Sequence, residues 1–155
     1  LGTIGLLLDI GKIRLPRELL EKHGRLSSGE FETVKAHVAH SLDILEETPN
    51  WPPEVLEGIA QHHERMNGTG YPKGLEGECI PLGARILAVA DAYDAMTHDR
   101  PHRPAMPALQ AVEELRRCTP AGYDPVCVAM LEEVLGVGQV RPLAAPAEAA
   151  VPAGA

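Results

Sequence analysis

Apolar positions recur every three or four residues along most of the chain, the period of a helix with one buried face. Phe31, Val34, Val38, Leu42 and Leu45 form one such series. The pattern Ser27-Ser28-Gly29-Glu30 opens it as a capping box, and Pro49 closes it. One helix over 27–48 is therefore predicted. Pro52-Pro53 opens another, with Val55, Leu56, Ile59 and Ala60 as its apolar face, and it runs into His62-His63-Glu64. Helical spacing returns over 82–96 through Ile86, Leu87, Val89, Ala90 and Tyr93. Two further helices are predicted over 107–117 and 125–135, and a short one near 17–22. Leu6, Leu7 and Leu8 read as the end of a buried helix whose beginning lies upstream. The segment NGTGYPKGLEGECIPLG, 67–83, is too rich in Gly and Pro for a helix interior and reads as a structured loop. From 139 onward the chain is a Pro/Ala-rich tail, expected to be disordered. No strand alternation or internal repeat is visible, so the predicted fold class is all-α, a helical bundle.

Composition narrows the classes of function. The 155 residues suit one domain, and 45% hydrophobic with 23% charged residues is globular usage. Lys and Arg number 14 against 22 Asp and Glu, a formal charge of −8. That balance disfavours DNA or RNA backbone as a partner and leaves room for a small anionic ligand at a local basic cluster. No apolar run is long enough to suggest a membrane span. Cys79, Cys118 and Cys127 are scattered and form no CxxC, which favours a reducing, cytoplasmic setting over a disulfide framework or a thiolate metal site.

Candidate chemistry concentrates on imidazoles and carboxylates. His62 and His63 are adjacent at a predicted helix end and point about 100° apart. They can serve one metal cluster if further ligands arrive from other helices. Asp9, His37 and Asp91 lie on or beside apolar helix faces, where a carboxylate is costly unless paired or bound to metal. Imidazole with carboxylate suits Fe, Mn, Zn or similar ions. Such a cluster could acidify a water and clamp a phosphodiester. Lys12, one turn beyond Asp9, could neutralise charge on a phosphate oxygen. Arg100 and Arg103 offer guanidinium forks for phosphate. Taken singly, each residue also reads as a structural histidine, a solvated acid or a surface cation.

In combination they are recognisable. Lys12 in DIGK, His37 in KAHVAHS, the run HHERMNGTGYPKGLEG and the run RILAVADAYDAMTHDRPHR resemble, in order and spacing, the HD-GYP family. The resemblance covers about residues 6–135. It implies an HD-type helical bundle and a bacterial metal-dependent phosphodiesterase that hydrolyses cyclic di-GMP. By that resemblance Asp9, His37, His62, His63 and Asp91 hold two or three divalent ions such as Fe or Mn, and Asp9 bridges them. Lys12 contacts the scissile phosphate, Gly70 and Tyr71 line the ligand pocket, and Arg100 and Arg103 hold phosphates or guanine edges. The Gly-rich loop resembles a surface that contacts diguanylate cyclase (GGDEF) domains. The implied domain is 1–138, lacking its N-terminal helices, with 139–155 as the tail. One departure is prominent: the family has His before the aspartate, and here Leu8 stands there. Val38 and Ser41 are smaller departures, at positions of a family Pro and Gly. The alternative is a degenerate domain that binds nucleotide or a GGDEF-type partner without hydrolysis.

Overall fold

A computed structural model describes residues 2–48, 50–100 and 104–137. The fold is all-α. Among the described residues eight α-helices occur: α1 (Gly2–Leu7), α2 (Arg17–Leu20), α3 (Ser28–Lys35), α4 (His37–Glu46), α5 (Pro53–Gln61), α6 (Leu82–Thr97), α7 (Ala108–Arg117) and α8 (Pro125–Val134). A 3-10 turn, Ile10–Arg14, follows α1, and another, Gly77–Cys79, ends the Gly-rich loop. No strand forms among these residues; a single antiparallel bridge joins Asn67 to Glu76.

Local chemistry sets the helix starts. Ser27 accepts the Glu30 backbone N–H while the Glu30 carboxylate accepts that of Ser27, so the capping box forms in full. Asp124 caps α8 by accepting from the backbone N–H groups of Val126 and Cys127. The same carboxylate receives Arg85 Nη1 at 2.6 Å, which ties α6 to the start of α8.

The expected helix over 27–48 is in fact two, α3 and α4, with Ala36 between them. The cause lies in the Val34 carbonyl. It accepts from the backbone N–H of Ala36 and lies 2.7 Å from His37 Nδ1. The imidazole takes a place that the main-chain ladder would fill, and the break aims His37 inward.

Two apolar clusters form the core. One joins Ile4, Leu8, Leu45, Ile59 and Leu87, with Trp51, Val55 and Leu56 packed against it. The other joins Val89, Met96, Ala111, Leu115, Cys127 and Val128. Helix α6 contributes to both. No described helix is long and apolar enough to cross a membrane. The expected tail, 139–155, lies outside the described residues.

Candidate metal centre

The turn after α1 is the first wall of the site. It packs so tightly on α4 that a Cβ on Gly11 would sit 2.1 Å from the His37 carbonyl oxygen and 2.4 Å from the Ser41 nitrogen. Only glycine fits there. Ser41, fully buried, donates from Oγ to the Leu8 carbonyl at 3.0 Å and accepts from the Gly11 backbone N–H at 2.9 Å. These two bonds fix the turn that carries Asp9 and Lys12.

Asp9, His37, His62 and His63 each present one ligand atom, and these four atoms lie within 4.8 Å of one another. His37 opens α4, and His62 and His63 follow the last residue of α5. His37 Nε2 is 3.3 Å from Asp9 Oδ1 and 3.2 Å from His63 Nε2. The Nδ1 atoms of His37 and His62 each lie 2.7 Å from a backbone carbonyl, of Val34 and Ile59 respectively. A carbonyl can only accept, so both Nδ1 atoms carry hydrogen and both Nε2 atoms are bare lone pairs facing the cluster. This is the orientation that an outer carbonyl imposes on a metal-binding imidazole.

Burial drives the charge state. Desolvation holds His37 and His62 below the ordinary histidine value, against the raising effect of their backbone bonds and of Asp9 and Asp91. His63 is pushed down to about 2, by desolvation first and then by the neighbouring His62, His37, Arg65 and Lys12. All three imidazoles are neutral at pH 7.

The donor set fits a divalent cation. Asp9 Oδ1 and His62 Nε2 are buried and have no hydrogen-bond partner. Orphaned polar atoms of this kind are costly unless something satisfies them. One nitrogen from each of three imidazoles and a carboxylate oxygen, all within 4.8 Å of one another, suit a transition metal or zinc.

Around this cluster the other predicted residues are distributed unevenly. Lys12 Nζ bonds Asp9 Oδ2 at 2.5 Å, so one carboxylate faces the imidazoles with one oxygen and a cation with the other. Tyr71 stacks on His63, ring centroids 4.6 Å apart, and its backbone N–H donates to the His63 carbonyl at 3.2 Å. Gly70 passes so close to the chain after His63 that a Cβ would meet Arg65 N and Glu64 Cα at 2.4 Å. Asp91 lies outside the group of four. It lines a neighbouring cleft of about 330 Å³ with Asp9, Leu8, Asp94 and Arg100. Arg100 sits there with its Nη2 3.5 Å from Asp94. Arg103 lies outside the described residues. Leu8, 8% exposed, belongs to the apolar cluster and borders this cleft.

Two residues of consequence were given no role from sequence. Glu64, 2% exposed, accepts the backbone N–H groups of Lys73 and Leu75 at 2.7 and 3.0 Å and so anchors the Gly-rich loop. Ser41 looked like a mere departure at a glycine position and proves to clamp the Asp9 turn. Glu64 stands third in HHE, but nothing in the sequence alone pointed to its anchoring role or to that of Ser41.

A helical bundle with a His/Asp cluster defines a class: the chain belongs to the HD domain family, whose model matches residues 2–126. It is 38% identical over 88% of its length to a 3'3'-cGAMP-specific phosphodiesterase of Vibrio cholerae, covering 30% of that protein. It is 37% identical over 92% of its length to a cyclic di-GMP phosphodiesterase of Pseudomonas aeruginosa, covering 34% of that one. Among solved structures it resembles Bd1817, an HD-GYP-type protein of Bdellovibrio bacteriovorus. There the TM-score is 0.67 at 24% identity, over 84% of this chain and 41% of that one. The chain thus spans about a third of the length of the curated relatives it matches.

Proposed function

We propose that this chain is a metal-dependent phosphodiesterase domain that hydrolyses cyclic di-GMP in a bacterial, cytoplasmic signalling protein. The observation that supports it most is the convergence of Asp9, His37, His62 and His63, with Lys12 on the outer oxygen of Asp9. Relatives at 37–38% identity that act on cyclic dinucleotides supply the substrate class.

Asp9, His37, His62 and His63 would hold the ion, with Asp91 reaching it from the adjoining cleft; two or three ions, Fe or Mn, are the proposed complement. A bound divalent ion supplies Lewis acidity to a phosphoryl oxygen and acidifies water. The protein's own residues do the rest. The carbonyls of Val34 and Ile59 hold the imidazoles in the ligating tautomer. Lys12 places a positive charge where negative charge grows on the phosphate. Tyr71, its phenol pushed above its usual value by burial, stays protonated and can donate to the substrate. Arg100, and with it Arg103, would grip the second phosphate.

The test is turnover by the manganese-loaded chain of cyclic di-GMP and of 3'3'-cGAMP, with products resolved by chromatography. Activity that His62→Ala and Asp91→Ala abolish supports the reading. Turnover that survives both sinks it.

Leu8 favours a second reading. It stands where the resemblance has a metal-binding His, and it is packed among Ile4, Leu45, Ile59 and Leu87. A chain with one ligand fewer would bind nucleotide, or a GGDEF-type partner through residues 67–77, without hydrolysis. Tight dinucleotide binding with no turnover under any divalent ion would select it.

A further inference from the structure

A second cleft has Lys12 in its wall. It has a volume of about 760 Å³ and lies between the segment around α2 and helix α3. Leu19, Leu26, Phe31 and Val34 form apolar walls, and Lys12 and Arg25 are among its cations. That size and that mixture of apolar wall with a few polar groups are typical of a small-molecule site.

Three observations connect it to the candidate metal centre. Lys12 lines the cleft while its ammonium bonds Asp9. A run of rings leads from the cluster to the cleft: Tyr71 stacks on His63, and Phe31 meets Tyr71 edge-on with centroids 6.2 Å apart. Phe31, the only phenylalanine of the chain, is nevertheless 45% exposed. Lys35 Nζ lies over this ring, 5.0 Å from its centroid, and the exposed remainder offers apolar surface for stacking.

The cations are unequal. Lys12 is committed to Asp9, and Lys22 bonds both carboxylate oxygens of Glu30 at 2.7 Å. Arg25 pairs with no acid among the described residues. Its guanidinium is free to fork onto the O6/N7 edge of guanine, the commonest specific contact of that side chain with a base.

We propose that this cleft is a base subsite: it receives one purine of the cyclic dinucleotide whose phosphate lies at Lys12, with Phe31 as stacking wall and Arg25 as edge reader. The inference rests on the cyclic-dinucleotide reading above. It adds where half of the ligand goes and which residues choose it.

The test titrates the manganese-loaded chain with a slowly hydrolysed phosphorothioate cyclic dinucleotide that carries 2-aminopurine beside guanine. Stacking on Phe31 quenches the label. Phe31→Ala is expected to weaken binding about tenfold, roughly 1.4 kcal/mol, within the range for a lost base–aromatic stack, and to restore fluorescence. Phe31→Trp is expected to return affinity to within about threefold of the parent chain, since indole stacks at least as well. Arg25→Ala is expected to reduce the preference for cyclic di-GMP over cyclic di-AMP by about tenfold, the value of one forked contact. Met130→Ala, an equally exposed apolar residue on α8, serves as the distant control and is expected to bind like the parent. Phe31 is exposed, so the variants fold, and matching circular-dichroism melts verify it. If the parent binds and Phe31→Ala binds equally with equal quenching, the subsite is refuted while the wider reading stands. If the parent binds no cyclic dinucleotide at all, both fall together.

Discussion

Asp9 works in two directions at once. One oxygen is buried against His37 without a hydrogen-bond partner, and the other holds Lys12. Neutralising it removes a ligand and frees the lysine together. Loss of a mere orienting partner costs about 10–100-fold in metal affinity, and a ligand costs no less. Asp9→Asn is therefore expected to lower manganese affinity at least about tenfold, read by competition with a fluorescent chelator. Leu8 allows a sharper experiment. Leu8→His places an imidazole in an apolar cluster, which costs about 1–3 kcal/mol unless the ring finds a partner. The metal-free variant should melt below the parent, and added manganese should raise its Tm by more than it raises the parent's. Equal shifts would show that residue 8 does not face the ion.

Among elements, the Gly-rich loop depends on a single buried carboxylate. Glu64 satisfies two backbone N–H groups, and the loop in turn lays Tyr71 on His63. Glu64→Gln leaves one oxygen to serve two donors and turns an amide N–H₂ towards the other. About 1–3 kcal/mol should be lost, the penalty of an unsatisfied buried group. Hydrogen exchange should report that loss as faster opening at Lys73 and Leu75, with α7 unaffected. The loop was legible as a loop from its glycines and prolines, because those residues forbid a helix interior wherever they stand. Its anchor was not, because a glutamate that accepts two distant backbone bonds looks in sequence like any surface acid. The break at Ala36 was hidden for the same reason. Phe31 to Leu45 keeps an unbroken helical period, and only the side chain of His37, reaching back to Val34, interrupts the ladder.

Over the whole molecule, the three buried imidazoles make stability depend on pH. In the unfolded chain they take up protons near 6.5; in the folded chain desolvation keeps them neutral to lower pH, His63 to about 2. Between those limits the unfolded state binds more protons, so stability falls as pH falls. The contribution is complete above about 6.5 and declines steadily below it. The metal-free chain should therefore melt markedly lower at pH 5 than at pH 7.5, and His63→Gln should flatten that dependence. At this scale much was readable. The helical period, the absence of alternation and the spacing of DIGK, HHE and GYP predicted an all-α bundle. That Asp9 and the three histidines meet could be expected only through the resemblance, since residues 9, 37 and 62 are separated by whole helices and periodicity says nothing of which faces converge. Asp91 shows the limit: it reaches the neighbourhood but stands apart from the other four.

Trp51 is the only tryptophan of the chain, and it packs against the apolar cluster that holds Leu8, the residue before Asp9. The protein thus carries an intrinsic optical gauge against the apolar cluster that adjoins its cation-binding wall. Any event that tightens or loosens that wall, whether an ion arriving or a nucleotide settling beside Lys12, should register as a change in indole emission, with no label attached and none of the chemistry disturbed.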